Sequence, residues 1–190
     1  MNRLLPFFIW FFLFYFLFYF PLNHISIILS IDLSRRYYIK KDLEKARQLY
    51  EKAALRGNKE AQFHLGYLYE KGGGVRQDWR EAINLYTLSS HQGYGKAKTR
   101  LGILYRDGLT GGDFVLSPHL PTALHLFKEG ASQGDMYSLF HLALFYEEGR
   151  EVEKNITEAA RLYTLARAHG FQPADAALHR LRVDHKSLTL

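Results

Sequence analysis

The sequence predicts an all-α protein, an array of about three and a half antiparallel helix pairs behind an apolar amino-terminal helix. Three observations predict it. Alanines at 46, 82, 123 and 159 recur at spacings of 36, 41 and 36 residues, and four residues after each comes Tyr50, Tyr86, Phe127 or Tyr163. Seven residues beyond each aromatic stands a glycine, Gly57, Gly93, Gly134 or Gly170, which opens a second run through Ala61, Ala97, Ser138 and Ala174 to Leu65, Leu101, Leu142 and Leu178. Both runs place their apolar residues three and four apart, the period of one helix face, and no alternating strand pattern of comparable length occurs.

At 190 residues and 47% apolar content the chain can bury a real core. Its 25 Lys and Arg interleave with 19 Asp and Glu, so the net charge of +6 forms no basic stripe, and nucleic acid is excluded as a partner. The absence of cysteine excludes disulfides, thiolate metal sites and a thiol nucleophile.

Two regions follow from composition: a hydrophobic segment over residues 1–34 and a repeat domain over 35–190. The first contains Leu4 to Leu22, nineteen residues without a charge, long enough to span a bilayer, followed by an apolar patch from Ile25 to Ile31. Three readings stand for it: an uncleaved membrane anchor, a secretory signal sequence, and non-coding sequence translated from a misplaced start. The anchor is preferred, because the run is longer than a signal core and only Ser30 offers a weak cleavage position. Arg35, Arg36, Lys40 and Lys41 after the run, against Arg3 before it, put the repeat domain of a single-pass protein on the cytoplasmic side. A cleaved signal would make the protein secreted instead.

Within the repeats, each of the four glycines ends a first helix in the left-handed conformation that glycine adopts without penalty. Asn58 and Asp135 are placed to cap the second helices that follow. Asp78 with Glu81, and Asn155 with Glu158, have capping-box spacing at the start of first helices. Gly72 to Gly74 form a turn between units. They are not a phosphate loop, since the only Gly-Lys pair, Gly95-Lys96, is followed by Ala97 where Ser or Thr is needed. The connector from Tyr105 to Ala123 spans 18 positions where Tyr69 to Ala82 and Tyr146 to Ala159 span 13. The inserted loop carries Phe114, Val115 and Leu116, which either fold back on a neighbouring helix or meet a partner, and Ser117-Pro118 is read as the start of the third unit's first helix.

The stretches ARQLYEKAALRGNKEAQFHLGYLYEKGGGV, AINLYTLSSHQGYGKAKTRLGILYRDG, ALHLFKEGASQGDMYSLFHLALFYEEG and AARLYTLARAHG resemble the Sel1-like repeat, a relative of the tetratricopeptide repeat, over residues 43 to about 182. Gly130, Ser132, Ala143 and the loss of Leu-Tyr at Leu181-Arg182 depart from the pattern, the last in keeping with a terminal cap. The resemblance implies a right-handed superhelix and a role as adaptor or scaffold for other proteins. Some cysteine-rich bacterial relatives are linked to β-lactam binding, which gives the alternative of a cell-wall or β-lactam type small-molecule binder or hydrolase. A fragment of a longer repeat scaffold is the other alternative.

No motif for catalysis, a cofactor or a metal is present. His64 and His141 share one column of the repeat, 77 residues apart, and supply too few ligands for a metal. Glu147, Glu148, Glu151 and Glu153 read as a solvated acidic patch, without the alternating spacing of a calcium loop. Asn155-Ile156-Thr157 is the one glycosylation sequon, and capping by Asn155 is its preferred role.

Between the fixed columns the first helices carry residues that change from unit to unit: Gln48, Asn84, His125 and Arg161; Glu51, Thr87, Lys128 and Thr164; Leu55, His91, Ser132 and Ala168. At i, i+3 and i+7 these make one stripe. The expected function is therefore non-enzymatic binding of a protein partner, with Gln48, Glu51, Asn84, Thr87, His91, His125, Lys128 and Arg161 as contact residues and Phe114 as a second contact on the inserted loop. Membrane association through residues 1–34 accompanies it if that segment is an anchor.

Overall fold

The structure, a computed structural model, describes residues 20–39 and 41–187. The apolar run from Leu4 lies outside the described residues except for its last three positions. Among the described residues no helix is long and apolar enough to cross a membrane.

Two compact units divide at Gln77 and Asp78. The first holds α1 (Phe20–Ile39), α2 (Leu43–Leu55) and α3 (Lys59–Lys71). The second holds α4 (Trp79–His91), α5 (Gly95–Asp107), β1 (Leu109–Gly111), β2 (Phe114–Leu116), α6 (Leu120–Ser132), α7 (Met136–Glu148), α8 (Ile156–Ala168) and α9 (Pro173–Ser187). Helix pairs α2/α3, α4/α5, α6/α7 and α8/α9 are the four repeats, and the fold class is the all-α solenoid of helix pairs expected from the columns.

Each pair is made the same way. The predicted glycines close the first helices with φ of 78° at Gly57, 75° at Gly93 and Gly134, and 91° at Gly170, a conformation that would strain a side chain. The second helices are then capped as expected: Ala61 N–H donates to Asn58 Oδ1 at 2.9 Å and Ser138 N–H to Asp135 Oδ2 at 2.8 Å. Asp78 and Asn155 accept from the N–H of Glu81 and Glu158 at 3.0 and 2.9 Å, fixing the starts of α4 and α8. Tyr94, ahead of α5, provides no such bond.

The columns are the core. Ala46, Ala82, Ala123 and Ala159 are fully buried, and Tyr50, Tyr86, Phe127 and Tyr163 are at most 1% exposed. Small residues let the helices approach, and the aromatics fill the space this leaves. At Gly102 the fit is so close that an added Cβ would lie 2.6 Å from the Phe127 ring.

Helix α1 repeats the geometry of a second helix. Backbone N–H groups at the caps of α6 and α8, His119 and Asn155, donate to the carbonyls of Tyr105 and Tyr146; in the same way Asp42, capping α2, donates to Tyr37 at 3.0 Å. Counting back three residues from these tyrosines gives Gly102, Ala143 and Ser34, all buried. Sequence columns did not place α1 in the repeat.

One local expectation is corrected. Ser117-Pro118 does not begin a helix: α6 starts at Leu120, behind His119 as cap and with Pro121 in its first turn. The inserted loop is a hairpin, with Leu109 opposite Leu116 and Gly111 opposite Phe114, turned at Gly112 with φ 62°.

Candidate protein-interaction site

The stripe predicted on the first helices faces solvent within each unit. Gln48, Asn84, His125 and Arg161 are all exposed, as are Leu55, His91, Ser132 and Ala168. In the row between them Lys128 and Thr164 are exposed, while Glu51 and Thr87 are half-buried. Several of these side chains are already engaged locally. Arg47 holds Glu51 at 2.8 Å in the first unit. In the second, Thr87 Oγ1 donates to the Ile83 carbonyl at 2.8 Å and Asn84 donates to Glu81 at 3.5 Å. Arg161 is held by Glu158 through two bonds of 2.8 and 2.7 Å.

One group of predicted residues converges in the second unit. Lys98, buried on α5, donates to Glu129 on α6 at 2.8 Å, and His125 lies 3.6 Å from the same carboxylate. The Lys98 hydrogen bond holds the Glu129 carboxyl below the usual carboxylate range against its partial desolvation, with the charges of Lys98, His125 and His91 adding. His125 contacts this carboxylate, and the charge of His91 on the preceding first helix acts on it in the same direction. No local sequence pattern marks Glu129, because its role comes from Lys98, 31 residues away.

Phe114 is half-buried, with the Arg80 guanidinium 5.6 Å from its ring centre. Gly111 lies so near Trp79 that an added Cβ would sit 2.5 Å from the indole. The hairpin therefore rests on the start of α4, and the residue it turns outward is Val115, 65% exposed.

The His64 and His141 column is an aromatic box in both units. His64 stacks on Tyr50 at 5.1 Å and meets the edge of Phe63 at 5.3 Å; His141 lies 5.0 Å from Phe127 and 5.6 Å from Phe140. Arg106 donates to His141 Nδ1 at 3.0 Å. Burial, with the Arg106 charge adding and Asp107 and Asp135 opposing, pushes the His141 imidazole down to about 4. In the first unit the box opens into a cleft of about 380 Å³ lined by Arg35, Tyr38, Ile39, Tyr50, Phe63, His64 and Tyr67. Its walls are aromatic and apolar, with Arg35 paired to Glu60 at one side. This cleft needs three helices to form, so no local sequence pattern announces it.

The acidic patch is corrected for Glu147, whose side chain is only 15% exposed. It accepts from the Tyr163 hydroxyl at 2.5 Å and from Arg180 at 2.8 Å, joining α7, α8 and α9. Glu148, Glu151 and Glu153 are exposed.

The Sel1 repeat profile matches residues 33–58, 59–94, 95–135 and 137–171. In rat and in mouse, proteins named DAP3-binding cell death enhancer 1 are each 40% identical over 171 aligned positions, covering 74% of this chain and 34% of the relative. The chain thus spans about a third of the length of these relatives. Among solved structures, a Sel1 repeat protein from Oxalobacter formigenes superposes with a TM-score of 0.72 at 26% identity, over 81% of this chain and 62% of its own. The protective antigen c5321 of uropathogenic Escherichia coli, with the same repeat fold, gives 0.73 at 29% identity, over 83% and 34%.

Proposed function

The chain belongs to the Sel1 repeat family, and from that premise we propose that it is a non-enzymatic adaptor that holds a protein partner on the stripe of its first helices. Sel1 repeat proteins serve generally as protein-interaction modules. The observation that carries the proposal is a contrast within single helices. The alanine and aromatic columns are buried to 1% or less, whereas Gln48, Asn84, His125 and Arg161, two residues from each, differ in every unit and stand in solvent. A common frame with changing exposed residues suits recognition of an extended segment or a helix by a preformed surface.

The second unit gives that surface a basic character through His125, Lys128 and Arg161, with Glu129 and Glu158 ordering the first and last of them. Acidic groups on the partner complement it. The rat and mouse relatives are named for binding DAP3, which makes DAP3 the first partner to try.

Purified chain and a variant carrying His125→Ala, Lys128→Ala and Arg161→Ala are offered DAP3 and a cell extract. All three positions are exposed, so the variant keeps its helical content and melting temperature. At least a tenfold loss of a partner held by the natural chain is expected. Equal retention by both proteins removes the basic part of the stripe as the site.

A further inference from the structure

We propose that Ser117 is a phosphorylation site, taking the γ-phosphoryl group of ATP from a proline-directed serine/threonine kinase. The site lies on the inserted loop and not on the stripe, so it stands independently of the function proposed above.

Ser117-Pro118 is the one Ser-Pro or Thr-Pro pair in the 190 residues. It lies between β2 and α6, outside both, and its two residues are exposed. The connector that holds it is the long one, so the pair belongs to none of the buried columns of the repeat. Alternation along β2 and past its end puts Ser117 on the side of exposed Val115, with half-buried Phe114 and Leu116 opposite.

The segment is held in the shape that such a kinase takes. Proline biases the residue before it away from the helical region, which keeps Ser117 extended. Leu116, ahead of it, is paired with Leu109, and behind it His119 N–H donates to the Tyr105 carbonyl at 2.6 Å. Pro118 rests against the end of α5, where a Cβ on Gly108 would lie 2.8 Å from the proline Cδ. It also lacks the N–H that any other residue there would present, and a proline-directed kinase selects its substrates at this position.

The hydroxyl is free to react. Thr87 and Thr164 donate to the carbonyls of Ile83 and Ala160 and Ser132 to that of Glu129, each at 2.8 Å, and Thr122 Oγ1 lies 2.8 Å from His119 Nδ1. Ser117 has no such partner among the described residues. Thr110 and Thr157 are exposed as well, but Gly111 and Glu158 follow them. In the transfer a bond forms between Ser117 Oγ and the γ-phosphorus of ATP, and the bond from that phosphorus to the β,γ-bridging oxygen breaks. ADP leaves, and the hydroxyl proton passes to the catalytic carboxylate of the kinase. The product carries nearly two negative charges beside Val115. They stand three residues ahead of Leu120, near the end of α6 that favours negative charge, so the modified chain stays folded.

The test incubates full-length protein with MgATP and a kinase of the mitogen-activated class, then digests it with trypsin. The peptide of residues 107–128, which holds Thr110, Ser117 and Thr122, is fragmented in the mass spectrometer. One phosphate on Ser117 is expected, with none on the two threonines. Ser117→Ala should lose it, Ser117→Thr should keep it on the new hydroxyl, and Pro118→Ala should take it up at least tenfold more slowly with circular dichroism unchanged. Chain isolated from cultured mammalian cells should carry the same phosphate, lost when proline-directed kinases are inhibited. An unmodified Ser117 in either preparation, or an equal rate for Pro118→Ala, overturns the proposal.

Discussion

Gly130 departs from the repeat, and its reason lies across the helix pair. The residue three beyond the aromatic faces the small residue eight further on, and the four such pairs are Ala53 with Ala61, Ser89 with Ala97, Gly130 with Ser138 and Ala166 with Ala174. Where serine takes the second place, glycine makes room: a Cβ on Gly130 would lie 2.0 Å from Ser138 Oγ. That hydroxyl belongs to a network, 2.5 Å from Thr99 Oγ1, which in turn donates to Asp135 at 2.6 Å. Gly130→Ala is expected to cost roughly 1–3 kcal/mol by overpacking, and adding Ser138→Ala to recover at least about 1 kcal/mol of it. Denaturant unfolding of the two single variants and the double decides this, and additive losses would contradict it. His141 supplies a pH signature. Its folded-state pKa of about 4 lies below the ordinary 6.5, so the unfolded chain takes up a proton that the native chain refuses. This contribution to stability is complete above about pH 6.5 and is lost as pH falls towards 4, at no more than about 1.4 kcal/mol per pH unit. Ring titration by NMR should find His141 neutral at pH 5, and His141→Phe should flatten stability across that window. A ring protonated at pH 6 would contradict the burial argument.

At the scale of elements, the helix pairs were legible because their signals are local: a glycine that ends one helix, an Asn or Asp that caps the next, and apolar residues at a helical period. What escaped was set by distant contacts. Helix α1 carries apolar residues all round, so no face stood out, and only 12 residues separate Ser34 from Ala46 where 16 separate Gly66 from Ala82. The hairpin strands have three residues each, too few for alternation to show. Its position against α4 has a direct check. Gly111→Val would push the Trp79 ring away, and in a Trp10→Phe background Trp79 emission should shift to longer wavelength while the helical signal is kept. Unchanged emission would mean that the hairpin does not rest on Trp79. Glu147 looks like part of a solvated patch in the sequence for the same reason: its partners Tyr163 and Arg180 are 16 and 33 residues away.

For the molecule as a whole, the repeat frame and the binding surface divide the sequence between them. Buried columns keep residue size and vary little in chemistry, which is why family and fold could be read from them. Exposed stripe residues vary freely, and their exposure follows from the helical period, but the Lys98–Glu129 pair beside His125 depends on how successive pairs meet. The cleft beside His64 depends on assembly in the same way. Whether the stripe holds the partner is decided by site-specific photo-crosslinking. A photoreactive residue is placed at Lys128, at Arg161, or at Glu153, an exposed position between pairs. Partner adducts are expected from positions 128 and 161 and none from 153. A captured partner that crosslinks from 153 and from neither stripe position would contradict that expectation.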